Sequence, residues 1–488
     1  MSSLLLGLDQ GTSSTRCVAL DAALTEAGSA SVPVASAFPA AGRVEQDPEA
    51  LAASVQTAIG GALDAAGASP QDVAALGIAN QTETFVLWDR ETGRPLYPAV
   101  VWQDRRSEDA CTALRAAGHE PMVRERTGLE LDATFPATKV RWVLDHVEEA
   151  RAAADAGRAA YGDVASWLLW RLAGTHVTDA GNAGRSLLCR LGATDWDDDL
   201  LELLGIDRRM LPPIVDTDGV DAALAVGDAT VPVRAVAGDQ QASLFGLRCW
   251  TPGSAKVTLG TGAFVLVQAG GSPALPPTGV LASCAWRLAE RTSIALEGFV
   301  PTAGAATDWF AHAGLLPRGP ELDALLREPV RGDAGVVCVP ALQGTGTPGW
   351  DAGVRGTLLG LDLGTTRAEL ARAVVDGVLH QVADAVEAIA EAVPVERVRL
   401  DGGLARSDWI AQRLADLAGL VVERPVRTDA TAIGAAAMAG LAAGFWDEPD
   451  ALPDLAIGLV AEPTLSEQER DDLRGRWAQA RQAAERWR

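Results

Sequence analysis

The chain has 488 residues, of which 48% are hydrophobic and 22% charged, and its formal net charge is −24. This length exceeds one ordinary hydrophobic core, so we expect two large domains, residues 1–247 and 248–488. The acidic balance argues against nucleic acid or an anionic membrane as a partner, because both attract basic patches. It remains compatible with small anionic ligands that backbone amides hold locally.

The six cysteines are dispersed and form no CxxC pair. This distribution is typical of a reducing compartment and disfavours a disulfide framework or a zinc site. The first residues lack the basic region of a signal peptide, and the most apolar run, residues 434–446, is too short to cross a bilayer. We therefore expect a cytoplasmic protein without a membrane partner; the sequence is compatible with a homo-oligomer but does not determine one.

Lysine occurs only at Lys139 and Lys256, whereas arginine is abundant. A genome that favours arginine codons is the simpler explanation of this imbalance. The alternative is that these two positions need a compact ammonium group rather than a planar guanidinium.

The N-terminal segment predicts a β-hairpin with a polar tip. Residues 4–8 are apolar and typical of a buried strand, and residues 16–20 form the return strand. Glycine and successive backbone amides at such a tip surround phosphate oxygens, and a neighbouring carboxylate suits Mg²⁺. A plain hairpin with a polar turn is the alternative. The tip residues that carry the phosphate hypothesis are Asp9, Gly11, Thr12, Ser13, Ser14 and Arg16.

A small-molecule pocket is predicted further along the first half of the chain. Residues 73–79 indicate a buried strand that delivers polar residues 80–84 at its carboxyl end, where open α/β sheets bind ligands. Residues 85–88 and 96–102 predict a hairpin that ends at Trp102, an apolar wall for such a pocket. Trp102 as an ordinary core residue is the alternative.

Helices and one further strand complete the first half. Residues 48–66 predict a helix capped by Asp47, and residues 127–182 are largely helical in pattern. The apolar strand 231–237 runs into Asp239 ahead of helical residues 242–247. An acid at this junction either points into a cleft or is only a helix N-cap.

The second half repeats the opening design. Strands at residues 255–259 and 263–268 flank a tip at Gly260, Thr261 and Gly262, and two such hairpins could hold a nucleotide's phosphates from opposite sides. Helices are predicted at residues 300–313, 366–392 and 407–418. Asp429 is predicted to cap a last buried helix near 434–441, and the tail after residue 465 to be a solvated amphipathic helix.

Paired glycines follow the predicted strand 395–400. Gly402 and Gly403 would let a flat purine ring lie against the backbone at the strand's carboxyl end. Strands and helices alternate in both halves of the chain, which predicts the α/β class.

Many collinear motifs carry a resemblance to a known family. They are GLDQGTSSTR, VEQDPEA, GIANQTET, WDRETGRPLYPAVVWQDRR, FPATKVRW, VTDAGNAGRSLL, AGDQQASLFG, TLGTGAF, LEGFVPTAGAA, DGGLARSD and ERP followed by ATAIGAAAMAG. Over nearly its whole length the sequence resembles the FGGY carbohydrate kinases, most of all the glycerol-phosphorylating members.

The resemblance implies two ribonuclease-H-like domains of the actin/hexokinase type, closing an interdomain cleft over ATP and an acceptor alcohol. Asp239 would be the general base, and Asp9 and Asp239 would hold Mg²⁺. The nucleotide would contact Thr12, Ser13, Ser14, Arg16, Thr261, Gly262, Gly304, Gly402, Gly403 and Ser407. The acceptor would contact Thr82, Glu83, Trp102, Thr134, Asp239 and Gln240.

The sequence departs from that family pattern at two acceptor positions. Glycerol-phosphorylating members carry Arg where this chain has Thr82 and Tyr where it has Thr134, so the pocket is expected to be roomier here. The hydrogen-bonding side chains that line a pocket strongly influence which substrate it prefers. We therefore expect an ATP-dependent kinase of a small polyol or sugar, with an Asp239 whose ordinary pKa of about 3.9 keeps it ionised. A non-catalytic actin-like ATPase or sugar sensor is the alternative.

Overall fold

The computed structural model describes residues 3–271, 275–331 and 335–487. Its strands are β1 Leu4–Gln10, β2 Ser14–Leu20, β3 Glu26–Pro33, β4 Glu45–Gln46, β5 Val73–Asn80, β6 Phe85–Asp89, β7 Ala99–Val100, β8 Ala159–Asp163, β9 Thr178–Asp179, β10 Ile214–Val215, β11 Ala222–Val226, β12 Ala229–Gly238, β13 Ser254–Leu259, β14 Ala263–Gln268, β15 Leu281–Leu288, β16 Arg291–Val300, β17 Val337–Val339, β18 Thr357–Leu359, β19 Arg397–Asp401, β20 Val421–Pro425 and β21 Ile457–Ala461. Its α-helices are α1 Pro48–Ala66, α2 Glu108–Ala116, α3 Glu120–Thr127, α4 Pro136–His146, α5 Glu148–Asp155, α6 Val164–Ala173, α7 Ala180–Gly184, α8 Asp198–Leu204, α9 Asp239–Gly246, α10 Gly304–His312, α11 Gly319–Leu326, α12 Arg367–Ala390, α13 Asp408–Ala418, α14 Ala430–Ala442 and α15 Glu467–Arg486.

The first large sheet is built around β1. Its strand order is β11-β12-β5-β1-β2-β3, in which β1, β2 and β3 are antiparallel and β5 and β12 run parallel to β1. Leu5, Leu6 and Leu8 of β1 are fully buried, because helices cover both faces of the sheet. The carboxyl ends of β1, β5 and β12 therefore meet at one edge.

The second large sheet repeats this plan. Its order is β15-β16-β14-β13-β19-β20-β21, with β16, β14 and β13 antiparallel and β19 and β20 parallel to β13. Three antiparallel strands followed by two parallel ones is the ribonuclease-H-like order. Its occurrence in both large sheets confirms the predicted α/β fold with two such units. We call each large sheet, together with the helices that pack on it, a lobe.

Helix α14 of the second half packs on the first sheet. A Cβ atom added to Gly7 of β1 or to Gly77 of β5 would lie 1.9 Å from a carbonyl oxygen of α14. A Cβ on Gly434 of α14 would lie 1.8 Å from the Ala242 oxygen of α9. These glycines allow backbone-to-backbone contact, so residues far apart in sequence form one layer.

Several predicted elements need correction. The region 127–182 is interrupted by β8, which pairs with β6 in a separate small sheet. The helix predicted from residue 300 begins at Gly304, because β16 extends to Val300 and pairs there with Ala263 of β14. Helix α1 is confirmed, and the Asp47 side chain accepts a hydrogen bond from the Glu49 amide.

One prediction about the C-terminal helices is wrong in part. Asp429 precedes α14 but makes no capping hydrogen bond; its carboxylate accepts from the Arg427 guanidinium, with Nε to Oδ1 at 3.0 Å. The predicted amphipathic tail helix is present as α15, and its buried face includes Trp477, whose ring stacks on His380 at 5.1 Å.

All six cysteine thiols are buried and unpaired. Across residues 3–271, 275–331 and 335–487, no helix has the length and apolar character needed to traverse a lipid bilayer.

Candidate active site

The first predicted loop is the tip of the β1–β2 hairpin. The Gly11 amide donates to the Ser14 carbonyl at 3.0 Å and closes the turn. Asp9 on β1 lies opposite Arg16 on β2. Ser13 is exposed, and the Ser14 side chain is partly exposed.

Two of the long-range contacts that hold this hairpin in place reach the other parts of the site. The Arg16 guanidinium reaches Asp429 at 3.6 Å, which links the loop to the start of α14. The Thr12 hydroxyl accepts a 3.0 Å hydrogen bond from the Trp102 indole. The loop is therefore tied to the predicted acceptor wall.

The second predicted loop is the tip of the β13–β14 hairpin, and it docks on the start of α10. The Gly304 amide donates to the Gly260 carbonyl at 2.9 Å, and the Ala303 amide donates to the Thr261 carbonyl at 2.9 Å. A Cβ on Gly304 would lie 2.6 Å from the Gly260 oxygen, so this close approach requires glycine.

A cavity of about 680 Å³ opens beside the second loop, and all its walls come from the second lobe. Four of the residues predicted to bind the nucleotide line it: Thr261, Gly304, Gly403 and Ser407. Gly262 and Gly402 do not line it. Gly262 is buried, and Gly402 has φ +97°, with a Cβ position 2.5 Å from the Leu259 oxygen.

Ser407 is already engaged in the cavity wall. Its hydroxyl donates to Asp323 and also accepts a hydrogen bond from the Ile410 amide at 3.3 Å, as the N-cap of α13. The serine therefore shapes the wall, and its hydroxyl has little capacity left for a ligand.

A second cavity, of about 120 Å³, contains every predicted acceptor residue and is lined by both lobes. Trp102 and Phe264 form part of an apolar wall, with ring centroids 6.4 Å apart. We call this cavity the acceptor pocket. Its lining residues are Thr12, Thr82, Glu83, Trp102, Thr134, Phe135, Arg185, Asp239, Gln240, Gln241, Phe264, Leu281, Glu297, Phe299 and Trp350.

The floor of the acceptor pocket holds a buried ion-pair triad that the sequence analysis missed. Arg185 donates to Glu83 at 2.5 Å and to Glu297 at 2.7 Å, and all three residues are at most 6% exposed. Glu83 has φ +62°, a left-handed conformation that is rare outside glycine and often found at functional sites. In the sequence, Glu297 could have been recognised as a site residue because it is an acidic residue within the otherwise apolar second half of β16.

Asp239 is the first residue of α9, and Gly238 is the N-cap. Burial, and then the neighbouring Glu83 carboxylate, raise the pKa of Asp239 to about 6, while Lys256 opposes the shift. The expectation of an ordinary pKa is therefore wrong. A carboxylate with a pKa of about 6 is better matched to proton transfer at neutral pH than one with a pKa near 4. At neutral pH most of the Asp239 side chains would still be ionised.

Asp9 lies in the same electrostatic neighbourhood. Burial, and then the Asp239 carboxylate, raise its pKa to about 7, whereas Arg16 lowers it and Asp401 raises it. Oδ1 of Asp401 is buried without a hydrogen-bond partner. Carboxylates that repel one another at the carboxyl ends of strands suit a hard divalent cation.

The chain's two lysines are both fully buried beside this site. Lys256 donates to the Gln240 side chain at 2.7 Å and to the Thr258 hydroxyl at 2.9 Å. Lys139 donates to carbonyl oxygens next to the acceptor pocket. Of the two explanations for the rarity of lysine, their buried placement favours a need for an ammonium group at these positions rather than codon usage alone.

This two-lobed fold, with one cavity between the lobes and another beside a glycine-rich hairpin, places the chain in the actin/hexokinase-like class of proteins built on two ribonuclease-H-like domains. Residues 4–246 match the N-terminal domain of the FGGY family of carbohydrate kinases, and residues 255–443 match its C-terminal domain. The chain belongs to the FGGY family of carbohydrate kinases and is a phosphotransferase with an alcohol group as acceptor.

Full-length relatives agree with this assignment. The chain is 44% identical to the glycerol kinase of Aromatoleum aromaticum, covering 99% of each protein. It is 41% identical to the glycerol kinase of Koribacter versatilis, covering 99% of this chain and 98% of that protein.

Solved structures are similar over the same length. The crystal structure of Plasmodium falciparum glycerol kinase with ADP superposes with a TM-score of 0.92 at 25% identity, covering 99% of this chain and 98% of that one. A xylulose kinase from Lactobacillus acidophilus gives a TM-score of 0.88 at 20% identity, covering 99% of each chain, and supports the fold.

Proposed function

We propose that this chain transfers the terminal phosphoryl group of ATP to a hydroxyl group of a small polyol or sugar. The observation that carries the proposal is the 3.0 Å hydrogen bond from the Trp102 indole to the Thr12 hydroxyl. It joins a wall of the acceptor pocket to the tip of the first hairpin, so an alcohol in that pocket would lie beside phosphates held at the tip. The glycerol kinases among the relatives support a polyol acceptor.

Asp239 is our proposed general base. It lines the acceptor pocket, it is partly buried, and its raised pKa of about 6 lies near neutral. An acceptor hydroxyl beside its carboxylate would be oriented for attack and would lose its proton late in the transfer. Lys256 fixes the adjacent Gln240 side chain, which we propose as an acceptor contact.

We propose that ATP lies between the two hairpin tips. The adenosine part would occupy the 680 Å³ cavity near Gly304, Gly403 and Ser407. Thr12, Ser13, Ser14 and Arg16 would surround the phosphates from one side, and Thr261 with Gly262 from the other. Backbone amides at both tips suit phosphate oxygens.

Mg²⁺ fits the carboxylates of Asp9 and Asp239, which burial and mutual repulsion leave in need of a cation. Among the described residues, no group of three or more His, Cys, Asp or Glu side chains is arranged to hold a metal ion. Phosphate oxygens would therefore have to complete its coordination. Bound there, the ion would neutralise phosphate charge.

We also keep residues 1–247 and 248–488 as the proposed domains. Under this division the first hairpin and most of the acceptor pocket belong to the first domain. The second hairpin and the adenosine cavity belong to the second.

A coupled assay of ADP release, run with polyols and ketoses of three to six carbons, tests the proposed function. We expect at least one acceptor to raise ADP release well above the acceptor-free rate. Asp239→Asn should lower kcat by a factor of about 10² to 10⁴, the usual contribution of a general base. Asp221→Asn, the same change at a side chain that is 93% exposed, is the matched control and should leave kcat unchanged.

Two results would contradict the proposal. One is ADP release that no acceptor stimulates, which would favour a non-catalytic ATPase or a sensor. The other is a wild-type kcat in a correctly folded Asp239→Asn variant, which would show that Asp239 is not the general base.

A further inference from the structure

Lys139 is a buried cation whose contacts are carbonyl oxygens. It lies on α4 and is fully buried. Its ammonium group donates to the carbonyls of Thr134 at 2.8 Å, Val101 at 3.2 Å and Trp102 at 3.4 Å. Three acceptors match the three N–H donors of a protonated lysine, so the group is satisfied only when it is charged.

The three carbonyls belong to two separate segments of the acceptor pocket. Val101 and Trp102 follow β7, and Thr134 lies just before α4. The side chains of Trp102 and Thr134 both line the pocket. Lys139 therefore holds the backbone beneath two pocket walls, although its own side chain is not among the lining residues.

Within the described ranges, no carboxylate lies within 4 Å of the Lys139 nitrogen. A buried charge without an ion pair is costly, so it is retained only where several dipoles converge on it. An arginine here would bring a wider, planar group with five donors to a site that offers three oxygens. This geometry explains why a chain rich in arginine has lysine at this position.

We propose that Lys139 is a positioning residue that fixes the Trp102 segment against the Thr134 segment and thereby sets affinity for the acceptor alcohol. The effect on affinity rests on the proposed function, whereas the tie between the two segments does not. Lys139 contacts neither ATP nor the reacting atoms under this proposal. It acts through the two residues whose carbonyls it holds.

The tie depends on protonation. Burial lowers the pKa of Lys139 to about 7, and nearby carboxylates only partly offset this effect. Above that pH the neutral amine keeps two N–H donors for three carbonyls, so the segments are held less firmly. The titratable or charged groups around it are Asp104, Glu83, Asp132, Arg105 and, beyond Thr138, Cys111.

Hydrogen–deuterium exchange of the full chain tests the tie without any substrate. In Lys139→Met we expect faster exchange of the hydrogen-bonded amides of Val101, Trp102 and Thr134. Amides of β1 and α14 should be unchanged. Arg141→Met, on the same helix but paired at the surface with Asp145, is the matched control and should change neither segment.

Steady-state kinetics with glycerol as the acceptor probe tests the consequence. In Lys139→Met the KM for glycerol should rise about tenfold, with kcat changed less and the KM for ATP unchanged. The ratio of the KM for glycerol in Lys139→Met to that in the wild type should fall as pH increases from 6 to 8.5, because only the wild type loses the protonated tie. The titrations of Asp9 and Asp239 affect both proteins and cancel in this ratio.

Unchanged exchange in a folded Lys139→Met protein would overturn the proposal. So would faster exchange with an unchanged KM for glycerol, or an equal loss of ATP and glycerol binding. If Lys139→Met does not fold, Lys139→Gln, which keeps a donor, replaces it in both measurements. Absence of kinase activity in the wild type would refute the proposed function, and the exchange result would still decide whether Lys139 ties the two segments.

Discussion

The Ser243 hydroxyl donates a 2.9 Å hydrogen bond to Oδ2 of Asp401. Ser243 lies one helical turn after Asp239 on α9, and Asp401 ends β19 of the second sheet. Residues four apart share a helix face, so this bond joins the proposed base's helix to the second lobe. The base is thus supported from both lobes.

Ser243→Ala is expected to destabilise the protein by about 1–3 kcal/mol, because it leaves both oxygens of the buried Asp401 carboxylate without a partner. Urea unfolding followed by circular dichroism measures the change. Thr57→Ala, which removes a hydroxyl that bonds the Ala53 carbonyl on the exposed face of α1, should change stability by less than about 0.5 kcal/mol. Equal losses in the two variants would contradict the argument.

Gly434→Ala should destabilise the protein by about 3 kcal/mol or more, because the new methyl would lie 1.8 Å from the Ala242 carbonyl oxygen. The same substitution at Gly60, in the middle of α1, meets no atom within 4 Å and should stabilise by about 0.5–1 kcal/mol. Thermal unfolding of both variants checks the pair. A similar melting temperature for both would show that α9 and α14 can separate at little cost.

The contribution of His176 to stability should fall as pH drops from 6.5 towards 4. Burial is the main cause that lowers its pKa to about 4 from an ordinary 6.5, and its Nε2 contacts the Tyr161 carbonyl at 2.8 Å. The unfolded chain binds the proton first, so acid favours unfolding by up to about 3 kcal/mol.

When the free energy of unfolding is measured at pH 7 and pH 4.5, the change between the two values should favour the folded state more in His176→Gln than in the wild type, by up to about 3 kcal/mol. His312→Gln, at an exposed position, serves as the matched control and should leave the pH dependence as it is. A curve for His176→Gln that parallels the wild type would assign the acid sensitivity to other groups.

Thr134→Tyr and the double variant Thr82→Arg with Thr134→Tyr probe substrate choice. Both positions line the acceptor pocket, so larger polar side chains should bring donors closer to a three-carbon substrate. The quantity to measure is the ratio of kcat/KM for glycerol to kcat/KM for a five-carbon polyol. We expect this ratio to be about tenfold higher in the double variant than in the wild type. Arg185 already places one guanidinium in this pocket, so Thr134→Tyr alone should give part of the gain. No change in the ratio would mean that other residues select the acceptor.

Local chemistry was enough to predict the two hairpins. Their tips at Gly11 and Gly260 follow from apolar strands that flank glycine and hydroxyl residues, and neighbours in sequence make these contacts. The family resemblance implied that Glu83, Trp102 and Asp239 share one pocket. For Glu83 and Asp239 the ends of the parallel strands β5 and β12 explain the proximity, whereas Trp102 follows β7 of a separate small sheet.

Contacts between distant residues could not be predicted in this way. Arg185 pairs with Glu83 across 102 residues and with Glu297 across 112, and no local pattern encodes either distance. The raised pKa of Asp239 depends on burial by the whole fold. Lys139 was visible as an oddity of composition, but its three carbonyl partners emerge only from tertiary structure.

The position of α14 has a consequence for synthesis of the chain. Residues 430–442 cover the first sheet through Gly7 and Gly77, yet they leave the ribosome long after β1 and β5. Until then, one apolar face of that sheet has no cover, and exposed faces of this kind favour aggregation. A fragment of residues 1–247 should therefore be insoluble alone and should be rescued by co-expression with residues 248–488.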